Sequence, residues 1–155
     1  MKSENPHILN ISPPLDMNPD WFSGHVAYSM AKFGMSLCVL GMAAEFKDDG
    51  VAVNALWPRT AIATAAVKNV LGGEQLVNIS RGPEIMADAA YVILTKPSKE
   101  FSGNFCIDDT LLAENGVSDF SVYADVPFDQ LAPDFFVPED MPVSYTHLTL
   151  PTKPF

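Results

Sequence analysis

A tyrosine and a lysine stand four residues apart in the segment Tyr28-Ser29-Met30-Ala31-Lys32. On an α-helix, side chains at this spacing are neighbours, with Cβ atoms roughly 5–6 Å apart. An ammonium group about 4 Å from a phenol interacts with it by about 4 kcal/mol at an effective dielectric of about 20, and one pKa unit corresponds to about 1.4 kcal/mol. The pair is therefore a candidate in which Lys32 lowers the pKa of Tyr28 toward neutrality, so that the phenol can act as a general acid or base. The alternative is an exposed helix face that carries both residues without a function.

Ser12 is a second candidate, because it ends the short apolar run 7–11 just before Pro13 and Pro14. Such a run predicts a buried strand that the prolines terminate. The carboxyl ends of parallel strands face the crevice in which α/β proteins bind ligands. We therefore predict that the Ser12 hydroxyl holds a substrate carbonyl while Tyr28 exchanges a proton with it. A serine that bonds only its own turn backbone is the alternative.

The elements that must position these residues follow from the apolar pattern and its breaks. Apolar runs bounded by Gly or Pro predict three strands, and stretches rich in helix formers between them predict three helices. Strands that alternate with helices indicate an α/β fold with a mostly parallel sheet. The predicted strands are 7–11, 51–57 and 101–107, and the predicted helices are 26–47, 61–71 and 83–95.

The longest predicted helix, 26–47, has two distinct faces, because residues three and four apart stack on one side. One face consists of small residues and is suited to close approach by another backbone, which predicts a homo-oligomer through this face. It also favours an alternative function for the chain, a catalytically silent oligomerisation or interaction module. The small face comprises Ala27, Ala31, Gly34, Cys38 and Gly41, and the second stripe, apolar after its first two members, comprises Tyr28, Lys32, Met35, Val39, Met42 and Phe46.

Acidic residues outnumber basic ones by 19 to 9, which gives the 155-residue chain a net charge of −10. This charge repels nucleic-acid phosphates and anionic membrane surfaces, so neither is an expected partner. Many of the acids lie in 108–140, which contains no lysine or arginine. We therefore divide the chain into an α/β domain at 1–107, an acidic C-terminal extension at 108–143 and a non-native tail at 144–155. We expect this extension to be solvated and partly irregular, and to wrap the domain with Phe120, Tyr123, Phe135 and Phe136 as its anchors. A partner-binding site is the alternative interpretation of the extension.

Cysteine and histidine usage predicts neither a disulfide framework nor a metal site. Cys38 and Cys106 are too few and too far apart for either, and they indicate small core residues in a reducing, cytoplasmic compartment. The histidines at 7, 25 and 147 lack metal-ligand spacing. The charge-free stretch 33–44 is shorter than the roughly 20 residues that cross a bilayer, and the N-terminus lacks the apolar run of a secretory signal.

Several separated motifs together resemble the second half of the short-chain dehydrogenase/reductase family. They are Ser12, the segment 28–32, Val53-Asn54-Ala55-Leu56-Trp57-Pro58 and Ser102-Gly103-Asn104-Phe105-Cys106-Ile107-Asp108-Asp109. The resemblance covers about 5–140 and implies the C-terminal part of a Rossmann-like, doubly wound parallel sheet. It also implies an enzyme that transfers hydride between NAD or NADP and an alcohol or carbonyl carbon.

The resemblance further implies a role for each catalytic candidate. Ser12 would orient and polarise the carbonyl, and Tyr28 would donate or accept the proton. Lys32 would lower the pKa of the tyrosine and hydrogen-bond the nicotinamide ribose, so that Tyr28 and Lys32 also count as cofactor-binding residues.

The loop 58–64 corresponds in the family to the segment beside the nicotinamide. Pro58, Ile62 and Thr64 are therefore the remaining cofactor-contact candidates. The chain departs from the family pattern at Arg59, where a glycine commonly follows the proline.

The family's glycine-rich phosphate loop and first strands would precede this sequence, whose first glycine is Gly24. We therefore expect the chain to be the C-terminal part of a longer reductase, and the choice between NAD and NADP stays open. Small apolar residues at 61–67 favour an apolar alcohol or carbonyl substrate of fatty, terpenoid or steroid-like type. The alternative is that these residues only cover the sheet. Serine hydrolysis by Ser12 and His25 is disfavoured, because no Gly-x-Ser-x-Gly turn is present.

Overall fold

A computed structural model describes residues 3–137 of the chain. Within that range three parallel strands form one sheet in the order β1-β2-β3. His7 lies opposite Ala52 and Ile11 opposite Leu56 in the first pair of strands, and Trp57 lies opposite Ile107 in the second. The strands are β1 His7–Ile11, β2 Ala52–Trp57 and β3 Phe105–Ile107, and the helices are α1 Val26–Glu45, α2 Gly73–Asn78, α3 Glu84–Thr95 and α4 Asp108–Glu114.

Helices cover both faces of the sheet, and every residue of the central strand β2 is buried. Successive strand residues point to opposite faces. On one face Val53 and Ala55 pack against Val39 of α1, and on the other Leu56 packs with Ile85 of α3. This arrangement explains why β2 is an almost continuous apolar run, as expected for a parallel strand covered on both sides. The predicted fold class, an α/β layer arrangement with a parallel sheet, is confirmed.

The first strand has the predicted bounds, whereas the predicted helix 61–71 begins later than expected. Residues 61–64 are extended, since the Ala61 amide donates to Ala132 O and the Ala63 amide donates to Arg81 O. Backbone amides that are bonded to distant segments cannot enter a helical ladder, so the helical backbone begins only at residue 65 and continues as the wide turn Val67–Leu71. The third strand is likewise shorter than predicted, beginning at Phe105 rather than 101.

The acidic segment that follows β3 begins with a helix that the sequence pattern did not predict. Its first two residues, Asp108 and Asp109, are fully buried rather than solvated. Farther along, Phe120 and Phe136 are buried in two different core clusters. The boundary at 107 between a domain and an extension stays a prediction, and 138–143 and the tail 144–155 lie outside the described residues.

By length and composition alone, α1 is apolar enough to cross a membrane. In the structure it instead lies along the sheet, where its Ser29, Phe33, Ser36 and Val39 are buried. Core helices of globular proteins pass the same length and composition test. The expectation that no segment crosses a membrane stays a prediction.

Candidate active site

Lys32 joins α1 to the carboxyl ends of the two neighbouring strands. Its Nζ donates a hydrogen bond at 3.1 Å to the carbonyl oxygen of Ile11, the residue directly before Ser12. The same ammonium group lies 5.1 Å from the centre of the Trp57 ring, at the end of β2. Tyr28, one turn earlier on α1, stacks on Phe136, whose ring also contacts Trp57. The structure thus brings Ser12, Tyr28 and Lys32 to one edge of the sheet.

Ser12 is fully buried, and its Oγ has no hydrogen-bond partner among residues 3–137. The hydroxyl therefore does not bond its own turn backbone, which was the alternative role. Leaving a buried hydroxyl unsatisfied costs roughly 1–3 kcal/mol. A carbonyl oxygen that reached Ser12 Oγ and accepted from it would recover this energy.

Tyr28 is 47% exposed, and the environment of its phenol differs from the expectation. Burial of part of the ring raises the pKa of Tyr28, and the nearby Asp134 carboxylate raises it further. The expected lowering by Lys32 does not occur in this chain. The lysine itself is affected by the same two influences, because burial lowers the pKa of Lys32 while Asp134 opposes the change. A neutral phenol is therefore the favoured form at neutral pH.

Asp134 is a site residue that the sequence reasoning missed. Burial raises the pKa of Asp134 to about 6, against the opposing effects of the Phe135 amide and the Lys32 charge. The Phe135 amide donates to the Asp134 carboxylate at 2.6 Å. The sequence offered one indication, namely that Asp134 precedes two aromatic residues. Its distance along the chain from α1 gave no reason to place it near Tyr28.

The loop 58–64 lies next to these residues, with its candidates in three different environments. Pro58 is buried. Ile62 points its side chain into the core beside Leu56, so a contact from Ile62 to a ligand at this edge would come from its backbone. Thr64 is exposed, and its Oγ1 accepts a hydrogen bond from the Val67 amide at 3.3 Å.

A buried cluster of charges fixes the beginning of this loop. Asp109 accepts from Arg59 Nε at 2.8 Å and from an Arg81 guanidinium nitrogen at 2.9 Å. The neighbouring Asp108 accepts from the Arg59 amide at 3.0 Å. Burial and the Asp109 charge raise the pKa of Asp108 to about 7. The arginine that departs from the family pattern therefore ties the loop to the start of α4.

Possible metal ligands do not assemble in the described part of the chain. Within residues 3–137, no group of three or more His, Cys, Asp or Glu side chains is placed to hold a metal ion. Cys38 is exposed on α1, whereas Cys106 is buried in β3. The prediction of a core position therefore holds for Cys106 and is wrong for Cys38, because the face of α1 that carries Cys38 points away from the sheet.

No family model matches the chain, whereas individual relatives match nearly all of it. It is 56% identical over 144 residues to hydroxysteroid dehydrogenase-like protein 2 from Danio rerio, covering 91% of this chain and 34% of that protein. It is 58% identical over 138 residues to the protein of the same name from Bos taurus, covering 89% and 32%. The chain thus spans about a third of the length of the curated relatives it matches.

Solved structures of dehydrogenases are similar to the chain as well. A crystal structure of a short-chain dehydrogenase from Mycobacterium thermoresistibile is 50% identical with a TM-score of 0.81, covering 93% of this chain and 51% of that one. A protein assigned as a dehydrogenase from Xanthomonas campestris is 50% identical with a TM-score of 0.82, covering 89% and 50%. The angucycline C-6 ketoreductase LanV, solved with bound NADP, shares the fold at 20% identity and a TM-score of 0.50, covering 66% and 41%.

These sequence and fold similarities agree with the resemblance implied by the residues at the sheet edge. The chain is similar in sequence to about a third of hydroxysteroid dehydrogenase-like protein 2, and in sequence and fold to about half of two solved dehydrogenase structures, one of them a short-chain dehydrogenase.

Proposed function

We propose that the full-length protein, meaning this chain together with the residues its relatives carry beyond it, is an oxidoreductase. It transfers hydride between NAD or NADP and an alcohol or carbonyl carbon. The observation that carries this proposal is the meeting of Ser12, Tyr28 and Lys32 where two parallel strands end. In open α/β sheets this edge is the usual ligand-binding position.

The residues present fit the nicotinamide end of such a cofactor. An ammonium group has three donors, and Lys32 Nζ uses one of them on Ile11 O. Further donors suit the hydroxyls of a ribose. The backbone of the loop 58–64, beside the same strand ends, would hold the carboxamide side of the ring. The bound nicotinamide supplies the hydride donor or acceptor.

The chain's own residues manage the substrate oxygen and its proton. Ser12 Oγ would donate a hydrogen bond to the carbonyl oxygen and hold it at the end of β1. Tyr28 would give its proton to that oxygen as the carbonyl is reduced and take it back in the reverse direction. The raised pKa of Tyr28 keeps the phenol protonated at neutral pH, which is the form that a proton donor requires.

Aromatic side chains near Tyr28 support an apolar substrate. Phe135 lies edge-on to Trp21 and His25 at ring-centre distances of 5.4 and 5.1 Å, and Phe136 stacks on Tyr28. Pockets for small molecules are mostly apolar with a few placed polar groups. This side of the site therefore suits a flat or long apolar alcohol or ketone, with Ser12 and Tyr28 as its polar end.

Lys32→Ala tests the cofactor part of the proposal. In the full-length protein we expect the Kd for NADPH to rise about 10- to 100-fold, since a hydrogen bond from a charged group contributes roughly 1.5–3 kcal/mol. The quenching of NADPH fluorescence on titration measures this change. Lys47→Ala, an exposed lysine beyond the other end of α1, is the matched control. Equal Kd values for the two variants would contradict the role of Lys32.

The small face of α1 supports a second proposal, association of the chain with another copy of itself. Four of its five small residues are exposed, and Met30, Leu37 and Leu40 beside them are 65, 58 and 54% exposed. Small residues allow two helix backbones to approach closely, and a two-fold axis would pair this face with itself. We therefore propose a homodimer through α1 in addition to the enzymatic role.

Leu37→Glu is expected to convert this dimer to monomer, because it would place two carboxylates in an apolar contact. Sedimentation velocity at several protein concentrations measures the change. Val70→Glu provides the control, since Val70 is 78% exposed and lies outside α1, in the turn Val67–Leu71. A wild-type chain that sediments as a monomer throughout would rule out the dimer.

A further inference from the structure

The segment 133–137 crosses the carboxyl end of the sheet next to α1. Pro133 forms an antiparallel bridge with Thr60, and the Asp134 amide donates to Arg59 O at 2.9 Å. At the next residue, Trp57 Nε1 donates to Phe135 O at 2.7 Å. Main-chain and side-chain hydrogen bonds therefore fix the segment to the end of β2 and to the loop that follows it.

Phe136 is the residue of this segment that reaches deepest into the site. It is fully buried, and its ring lies 4.9 Å from Phe33 and 5.9 Å from Trp57 between ring centres. Trp21 and Phe135 also contact this ring, and the Tyr28 ring lies 5.8 Å from it with only 12° between the two planes. Phe136 thus covers one face of the tyrosine ring, and Phe33 and Trp57 in turn hold Phe136 in place.

The backbone at Phe136 is strained. Its φ of +71° is the only positive value at a non-glycine residue in the described chain. A bulky residue in this region is an outlier that persists only where its surroundings fix it. The hydrogen bonds of residues 133–135 and the aromatic partners of Phe136 together are those surroundings. Such outliers cluster at functional sites.

We infer that Phe136 is a positioning residue for Tyr28, whose ring it holds in a single orientation at the edge of the sheet. This inference rests on the proposed function, in which Tyr28 handles the proton. A phenol free to turn on its helix would seldom point its hydroxyl at a bound carbonyl, and misplacement of a reacting group by about 1 Å costs about 100-fold in rate. The stack on Phe136 removes this freedom before substrate arrives.

Asp134 lies in the same segment as Phe136 and affects the same tyrosine. Its carboxylate contributes to the raised pKa of Tyr28 and opposes the lowered pKa of Lys32. The segment therefore affects both the orientation of the phenol and its protonation. Moving the segment away from α1 would change both properties together.

The test of this inference compares Phe136→Leu with Phe120→Leu in the full chain. Phe120 is also buried, but its ring pairs with Tyr123 and belongs to the cluster on the α3 side. With ¹³C-labelled tyrosine, NMR resolves the four tyrosine rings, and Tyr28→Phe assigns the relevant signal. In Phe136→Leu we expect the Tyr28 ring resonance to lose its ring-current displacement and the pKa of Tyr28 to fall toward its ordinary value. Phe120→Leu should change neither property.

The same pair of variants separates this inference from the proposed function. In the full-length protein, Phe136→Leu should lower kcat about 10- to 100-fold with an unchanged Kd for NADPH. Unchanged Tyr28 resonances in Phe136→Leu would overturn the positioning role whatever the enzyme does. Changed resonances, together with a kcat that does not depend on Tyr28, would instead overturn the proposed function. If Phe136→Leu fails to fold, nuclear Overhauser contacts between the Tyr28 and Phe136 rings of the wild-type chain decide, and their absence overturns the inference.

Discussion

Tyr28→Phe is expected to lower kcat of the full-length protein by about 10²- to 10⁴-fold, the usual contribution of a general acid or base. The Kd for NADPH should stay nearly unchanged, because the substitution removes only the hydroxyl and leaves the ring that stacks on Phe136. The loss should therefore appear in the chemical step. The oxidation of NADPH in the presence of a steroid ketone, a long-chain aldehyde or an aryl ketone measures kcat, and fluorescence titration measures Kd.

Tyr91→Phe is the matched control for this experiment. Tyr91 is 70% exposed on α3, a helix on the other face of the sheet from α1, so its hydroxyl has no expected role. If both variants keep the wild-type kcat, the proton is handled by another group and the assignment of Tyr28 is wrong. If the wild-type protein oxidises neither NADH nor NADPH with any of the three probe classes, the result counts against the oxidoreductase proposal as a whole.

The position of Tyr28 and Lys32 was predictable because it depends on local periodicity. A helix over this region follows from composition, and a spacing of four places the two side chains on one face whatever the rest of the fold does. The strand before Ser12 was predictable for a similar reason, since prolines end an apolar run at a defined residue. These are short-range features, and they account for the part of the site contributed by β1 and α1.

The pKa of Tyr28 was not predictable, because it depends on a residue more than a hundred positions away. Only the folded chain brings Asp134 close enough to raise it. The same holds for Phe136, whose aromatic character suggested anchoring but not which ring it would contact. Contacts of this kind come from the path of an irregular segment, which has no periodicity that sequence reasoning can use.

The buried charge cluster was missed because its two aspartates matched a familiar pattern, that of a solvated acidic segment. Asp108 and Asp109 begin an acidic segment, and acidic segments are usually solvated. In the structure both are fully buried and bind Arg59 and its neighbours. The departure from the family pattern at Arg59 was the available indication, because a charged residue in a buried loop requires a counter-charge.

The stability of the loop that follows β2 depends on this cluster. Asp109→Asn is expected to lower the free energy of unfolding by about 3–5 kcal/mol, the cost of removing one partner from a buried ion pair. The asparagine keeps the size of the side chain but leaves the Arg59 and Arg81 guanidinium groups buried with less counter-charge. Urea denaturation followed by tryptophan fluorescence measures the change, since Trp57 is the last residue of β2, directly before this loop.

The control is Glu74→Gln at the pair Lys68–Glu74, whose side chains are 55 and 66% exposed. An exposed pair contributes roughly 0–1 kcal/mol, so this variant should be close to wild type.

The effect of Asp109→Asn should also depend on pH. The Asp109 charge helps to raise the pKa of Asp108, so in the variant Asp108 ionises at lower pH and supplies part of the missing negative charge. The loss of stability should thus be larger at pH values where Asp108 is protonated and smaller above them. An effect no larger than that of Glu74→Gln across the range would mean that the cluster does not hold the loop.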